Sequence, residues 1–131
     1  CGGATLNVRS TVAGPSVVTE VPVLGSTFYI DGANLPPNGV VLHIIGWTTL
    51  AAPYNLSALG APGCWLYVDP IDQSVAFANA AGNDYWSLNL PLQISLIGMA
   101  LKQQIAAIDP AANALGLTMT NLVSSVCGAH N

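Results

Sequence analysis

Apolar and polar residues alternate one for one through short runs along almost the whole chain. This period of two restricts the fold more than any other feature, because a strand sends successive side chains to opposite faces. In ATLNVRSTV, Leu6, Val8 and Val12 share one face while Asn7, Arg9 and Thr11 share the other. SVVTEVPVL, STFYID, VVLHIIGWTT, CWLYVD, QSVAFANA and YWSLNL follow, with LKQQIAAID and LGLTMTNLVSSV last. The breakers NLPPNG, APYNLSALGAPG, DPID, NAAGND and DPAANA separate them with the Pro, Gly, Asn and Asp chemistry of turns. Leu101, Ile105 and Ile108 also fit the spacing of a helical face, yet a strand is expected there because every neighbouring segment is one. Eight or nine short strands in 131 residues predict an all-β fold, a two-sheet antiparallel β-sandwich of jelly-roll-like kind. Residues 1–131 are expected to form a single domain, with 1–24 a strand-forming segment able to pair with a neighbouring subunit.

The chain is 52% hydrophobic but only 6% charged, against about 25% charged in an ordinary soluble domain. Its cations are Arg9 and Lys102. A folded monomer of 13.4 kDa exposes roughly 6,500 Å², so its formal charges lie about one per 800 Å². Such a surface repels its own copies weakly, which favours self-association. A secreted protein covered in neutral Ser, Thr, Asn and Gly is the plainer explanation. Two cations and a net charge of −4 exclude the clustered Lys and Arg that nucleic acid requires. Despite a mean hydropathy of +0.55, no apolar run reaches the roughly 18 residues of a membrane-spanning helix. The chain opens on Cys1 rather than Met, as a mature product whose leader has been removed would; Cys1-Gly2-Gly3 also fits the lipidated start of a bacterial lipoprotein.

Gly63-Cys64-Trp65 has the residue order found around the nucleophile of papain-type proteases. That cysteine is activated at a helix start beside a distant histidine, whereas CWLYVDP alternates and ends at proline, as a strand does. His43, inside VVLHIIG, reads as a partly buried strand histidine rather than a base, and His130 as a tail residue. Cys1, Cys64 and Cys127 stand about sixty residues apart with no CxxC, which argues against zinc. Asp69, Asp72, Asn79, Asn83 and Asp84 fall in loops that hairpins can gather around calcium, although Asx turns are the commoner use of such residues. Glu20, Asp31 and Asp109 complete the acids, and nothing marks a catalytic pair among the six. Asn55-Leu56-Ser57 is a weak glycosylation sequon. Trp47, Trp65 and Trp86 offer either a sugar-stacking platform or core packing. No catalytic residue, cofactor or metal is therefore expected. The cysteines read as disulfide-forming, with one of three left over to be free and buried, lipidated, or paired with another copy of the chain.

Pro22-Val23-Leu24-Gly25-Ser26-Thr27-Phe28, Gly46, LSALGAPGCWL from Leu56 to Leu66, LPLQISLIGMALKQQIAAIDP and GLTMTNLV form a recognisable series. It resembles the small secreted β module of planctomycete and marine myxobacterial exported proteins. The pattern positions are Gly60, Pro62, Gly63, Cys64, Leu66 and Val68, then Leu96, Gly98, Leu101 and Gln104, then Asp109-Pro110, and Gly116, Leu117, Thr120 and Asn121. The match runs from about residue 22 to 123, with Gly-x-Pro-Gly-Cys its most specific part. The resemblance implies a secreted sandwich without catalytic residues and a Cys1–Cys64 bridge, leaving Cys127 as the odd thiol. It assigns no activity, since fold does not fix function. The expected function is a secreted, non-enzymatic structural protein at the cell surface, whose copies assemble into a filament, sheath or surface layer. The alternative is an extracellular carbohydrate-binding or adhesion module that recognises surface glycan.

Overall fold

The alternation becomes hydrogen-bonded ladders in a computed structural model that describes residues 1, 3–10 and 23–128, with residues 7–10 as backbone only. The strands are β1 (Thr5–Ser10), β2 (Thr27–Ala33), β3 (Val40–Gly46), β4 (Thr48–Asn55), β5 (Trp65–Asp69), β6 (Asp72–Phe77), β7 (Asp84–Asn89), β8 (Ala100–Ile108), β9 (Leu117–Met119) and β10 (Val123–Val126). Their pairings are all antiparallel. One sheet has the order β1-β2-β7, and the second β10-β8-β3-β6, with β9 on the same side of β8 as β10. The expected all-β sandwich is present, and the 100–108 segment is a strand. The described residues hold ten strands: Trp47 turns VVLHIIGWTT into two, LGLTMTNLVSSV also divides, and SVVTEVPVL lies mostly outside the described residues.

The sandwich has a further layer. Strands β3 and β6 pair with each other, as do β4 and β5, so β3 to β6 is one long hairpin bent at its middle. The bend occurs where Gly46 passes Asp69: a Cβ on Gly46 would lie 2.2 Å from the Asp69 carbonyl oxygen, so only glycine fits. Beside it the Ile71 N–H donates to the Ile45 carbonyl. The distal half, β4–β5, folds back over the outer face of β3 and β8. Pro53 sits inside β4, where the register shifts between Thr49 and Tyr54, a bulge at which its missing donor costs little.

Strands β3 and β8 are consequently covered on both faces. One core joins Leu6, Phe28, Ile30 and Trp86 of the first sheet to Val41, Ile105 and Ala107 of the second. The other joins Ile44 and Ala106 to Leu56, Ala61, Cys64 and Val68 beneath the hairpin, with Met119. A smaller cluster holds Leu24, Leu101 and Cys127, against which Trp47 packs. Residues 5–10 of the N-terminal segment expected to reach a neighbouring subunit form β1, paired with β2 in their own chain. Residues 11–22, most of SVVTEVPVL and Glu20 among them, lie outside the described residues, as does His130.

Cys1 and Cys64 form a disulfide with their Cα atoms 5.0 Å apart, which is the pairing the resemblance implied. Cys1 therefore has no free sulfur for a lipid. The bridge closes a separation of 63 residues, and restricting the unfolded chain that far contributes about 4 kcal/mol. A Cys64→Ser variant is expected to lose about that much in denaturant unfolding; an unchanged midpoint and slope would remove the bridge from the stability of the fold.

Candidate functional site

Three features carry chemistry: a groove along β5, a buried polar tie between the sheets, and the open edge at β6. The groove begins with the loop from Asn55 to Cys64. The Asn55 side chain accepts from the Ser57 N–H at 2.9 Å and starts a 3₁₀ turn, Leu56–Leu59, which Gly60 ends in the left-handed region at φ 99°. This occupies the sequon asparagine as a cap. The Ala61 N–H then bonds back to the Leu56 carbonyl, and Cys64 closes the loop by accepting from the Leu56 N–H at 2.9 Å. Strand β5 emerges from this knot with Val68 buried and Leu66 packed inward, so alternation turns Trp65 and Tyr67 the other way.

Gln104 fixes β5 from β8. Its Nε2 donates to the carbonyls of Trp65 (2.7 Å) and Thr120 (3.0 Å), while its Oε1 accepts from the Tyr67 N–H (3.1 Å). The fully buried amide thus acts as a one-residue strand between β5 and the chain beyond β9. Thr120 accepts from the Ile105 N–H through its hydroxyl at 2.9 Å. Asn121 clamps Leu6 of β1, accepting from its N–H at 2.8 Å and donating to its carbonyl at 3.1 Å. Pattern residues scattered from Cys64 to Asn121 therefore converge here. They enclose a groove of about 380 Å³ lined by Trp65, Tyr67, Thr5, Met119, Thr120 and Asn121.

Adjacent glutamines in β8 have opposite circumstances. Gln103 is also fully buried, but neither of its amide atoms has a hydrogen-bond partner.

The polar tie is His43, buried on β3. Its Nε2 meets the carboxylate of Asp84, which is buried on β7 of the facing sheet, and its Nδ1 lies 3.4 Å from the Ser74 hydroxyl on β6. Trp86 stacks on the imidazole, ring centroids 4.3 Å apart and 12° from parallel. The ring is held at both nitrogens and one face, so it links the two sheets and fixes its own orientation. His43 is indeed a buried strand residue.

The other expected residues disperse. Asp72 accepts from the Gln73 N–H, and Asn79 from the Ala81 N–H in an Asx turn and from the Asn83 N–H, so both are taken up by their own turn backbones. Asp109 likewise accepts from the Ala111 N–H. Among the described residues no three His, Cys, Asp or Glu side chains gather as a metal site. The three tryptophans do not form one platform: Trp86 belongs to the core, Trp47 packs beside Leu101, and Trp65 alone reaches the groove. Cys127 is the free cysteine, and burial pushes its thiol pKa up, which leaves little nucleophilic thiolate.

The third feature is β6, which among the described residues pairs only with β3. The Ala78 N–H donates to the Gly39 carbonyl, so alternation along the ladder turns the backbone groups of Ala76 and Ser74 toward β3 and those of Val75 and Phe77 toward solvent. The side chains of Val75 and Phe77 are 68% and 70% exposed. Comparison with protein-family models, curated proteins and solved structures gives no match in any of the three.

Two predictions follow from the buried polar groups. Gln104→Leu strands backbone groups of Trp65, Tyr67 and Thr120 and is expected to cost about 3 kcal/mol, whereas Gln103→Leu is expected to be neutral or stabilising by about 1 kcal/mol, because it removes unpaired groups. Chemical denaturation of both variants checks the contrast. Asp84→Asn or His43→Leu is expected to lose about 3 kcal/mol by leaving its partner buried and unmatched, and the His43→Leu/Asp84→Leu double variant less than the sum of its single changes; strict additivity in that cycle would show the two residues uncoupled.

Proposed function

We propose that the protein is a secreted, non-enzymatic building block that self-assembles at or outside the cell surface, the β6 edge of one copy receiving an extended segment of the next. The observation that carries this reading is an apolar strand edge that no other described residue pairs with. Sheet proteins usually guard an open edge with lysine, proline, a bulge or a covering element. In β6 the charge is confined to Asp72 at its first position, while Val75 and Phe77 present outward backbone groups and exposed apolar side chains together. An added strand would satisfy those N–H and C=O groups and bury both side chains.

The distribution of apolar surface favours an open, head-to-tail assembly over a closed pair. Val40 lies opposite Phe77 at one end of the second sheet, with Ile108 51% exposed nearby in sequence register. At the other end, where Ala100 pairs with Val126, the preceding loop carries Leu92 and Ile94, 81% and 82% exposed. The length of β8 separates these patches by roughly 25 Å. Two unlike patches at opposite ends suit a heterologous contact, which propagates when its rotation does not close. Few charges oppose such packing. This reading also accommodates the resemblance to secreted β modules.

Sedimentation velocity and electron microscopy of the full chain test it. The native protein is expected to form concentration-dependent ordered assemblies, and Val75→Lys or Phe77→Asp to remain monomeric with unchanged thermal stability. Native protein that stays monomeric up to millimolar concentration, or variants that assemble normally, would overturn the reading.

A further inference from the structure

We propose that the groove along β5 binds a neutral saccharide, with Trp65 and Tyr67 as its stacking floor. This site is separate from the β6 edge, and the proposal does not depend on assembly. Trp65 and Tyr67 are two positions apart on one strand, so their Cα atoms lie roughly 7 Å apart on the same side, close enough to serve neighbouring sugar rings. Both are partly exposed within a groove of about 380 Å³, a size in the usual range for small-ligand sites.

The chemistry of the lining selects the ligand class. Aromatic faces carry negative charge density and attract the slightly positive C–H groups that cover one side of a pyranose. Neither the Trp65 indole N–H nor the Tyr67 hydroxyl has a hydrogen-bond partner among the described residues. A purely apolar occupant would strip these groups of water and return nothing, whereas a hydroxyl-rich ligand would pair with them. Among the described residues no charged side chain lines the groove, and the Cys1 ammonium at its wall is engaged with the Met119 carbonyl at 3.1 Å, so the lining favours neutral over acidic or sulfated sugars. Thr5, which is exposed, places a further small polar group at the rim.

The site is also fixed before any ligand arrives. Gln104 holds the β5 backbone at both Trp65 and Tyr67, Asn121 holds the opposite wall to β1, and the Cys1–Cys64 bridge ties the wall at Cys1 to the start of β5. Rigid walls reduce the ordering cost of binding, so a shallow groove can retain a weak ligand.

The test uses the full chain carrying Val75→Lys, so that assembly cannot mask the groove, and a panel of neutral gluco-, manno-, galacto-, xylo- and N-acetylglucosamine oligosaccharides up to hexamers. In nitrogen–proton correlation spectra at least one sugar is expected to shift the Trp65 indole signal while leaving those of Trp47 and Trp86 in place. Trp65→Ala is expected to weaken that sugar at least tenfold, and Tyr67→Phe, which removes only a hydroxyl, a few-fold. The proposal is overturned if no sugar shifts the Trp65 signal, if Trp47 or Trp86 responds instead, or if Tyr67→Phe and Trp65→Ala bind as the parent does. It is equally overturned if the Trp65 signal moves with protein concentration alone, since the groove would then be a contact between copies.

Discussion

The Asp69 carbonyl passes the Cα of Gly46 too closely for any side chain, and the rest of the molecule depends on that crossing. It lets one long hairpin fold back on itself instead of lying flat in a single sheet. The folded half covers the outer faces of β3 and β8, which explains why both strands bury residues on each face, Gln103 and Gln104 included, rather than alternating between core and water. It also carries β5 over Gln104 and next to the chain beyond β9, so the groove exists only because the hairpin bends. The undoubled half leaves β6 at the sheet margin.

A chain with so few charges must satisfy its buried backbone by neutral means. Gln104, Thr120 and Asn121 do this by imitating strand residues, offering amide and hydroxyl groups where a ladder would otherwise end. Such groups cost less to bury than ions because no full charge leaves water. The His43–Asp84 pair is the exception, and it is placed where one contact can join two sheets under the cover of Trp86. These polar ties select a particular register among apolar faces that would otherwise slide.

The groove and the open edge lie on opposite margins of the second sheet: β9 and β10 flank β8 on one side, and β6 flanks β3 on the other. Strand addition at β6 therefore leaves the face containing Trp65 and Tyr67 uncovered. The proposed assembly at β6 and the proposed saccharide groove are compatible, because neither uses the residues of the other.

The sequence by itself determined the strands, their breaks and the low surface charge. Period-two alternation in STFYID and YWSLNL states directly which side chains share a face, and the Pro, Gly, Asn and Asp clusters mark where chains reverse. Alternation names a face, however, but never the strand that will cover it. Only the tertiary structure decided that β3 pairs with β8, that APYN continues a strand through a bulge, and that Gln104 is bonded while Gln103 beside it is not. It likewise assigned Trp86 to the core and Trp65 to a groove, since the two look alike within their own strands. Those outcomes depend on contacts between residues far apart in the chain, whose positions are set by one close approach at Gly46 and by a bridge from Cys1 to Cys64.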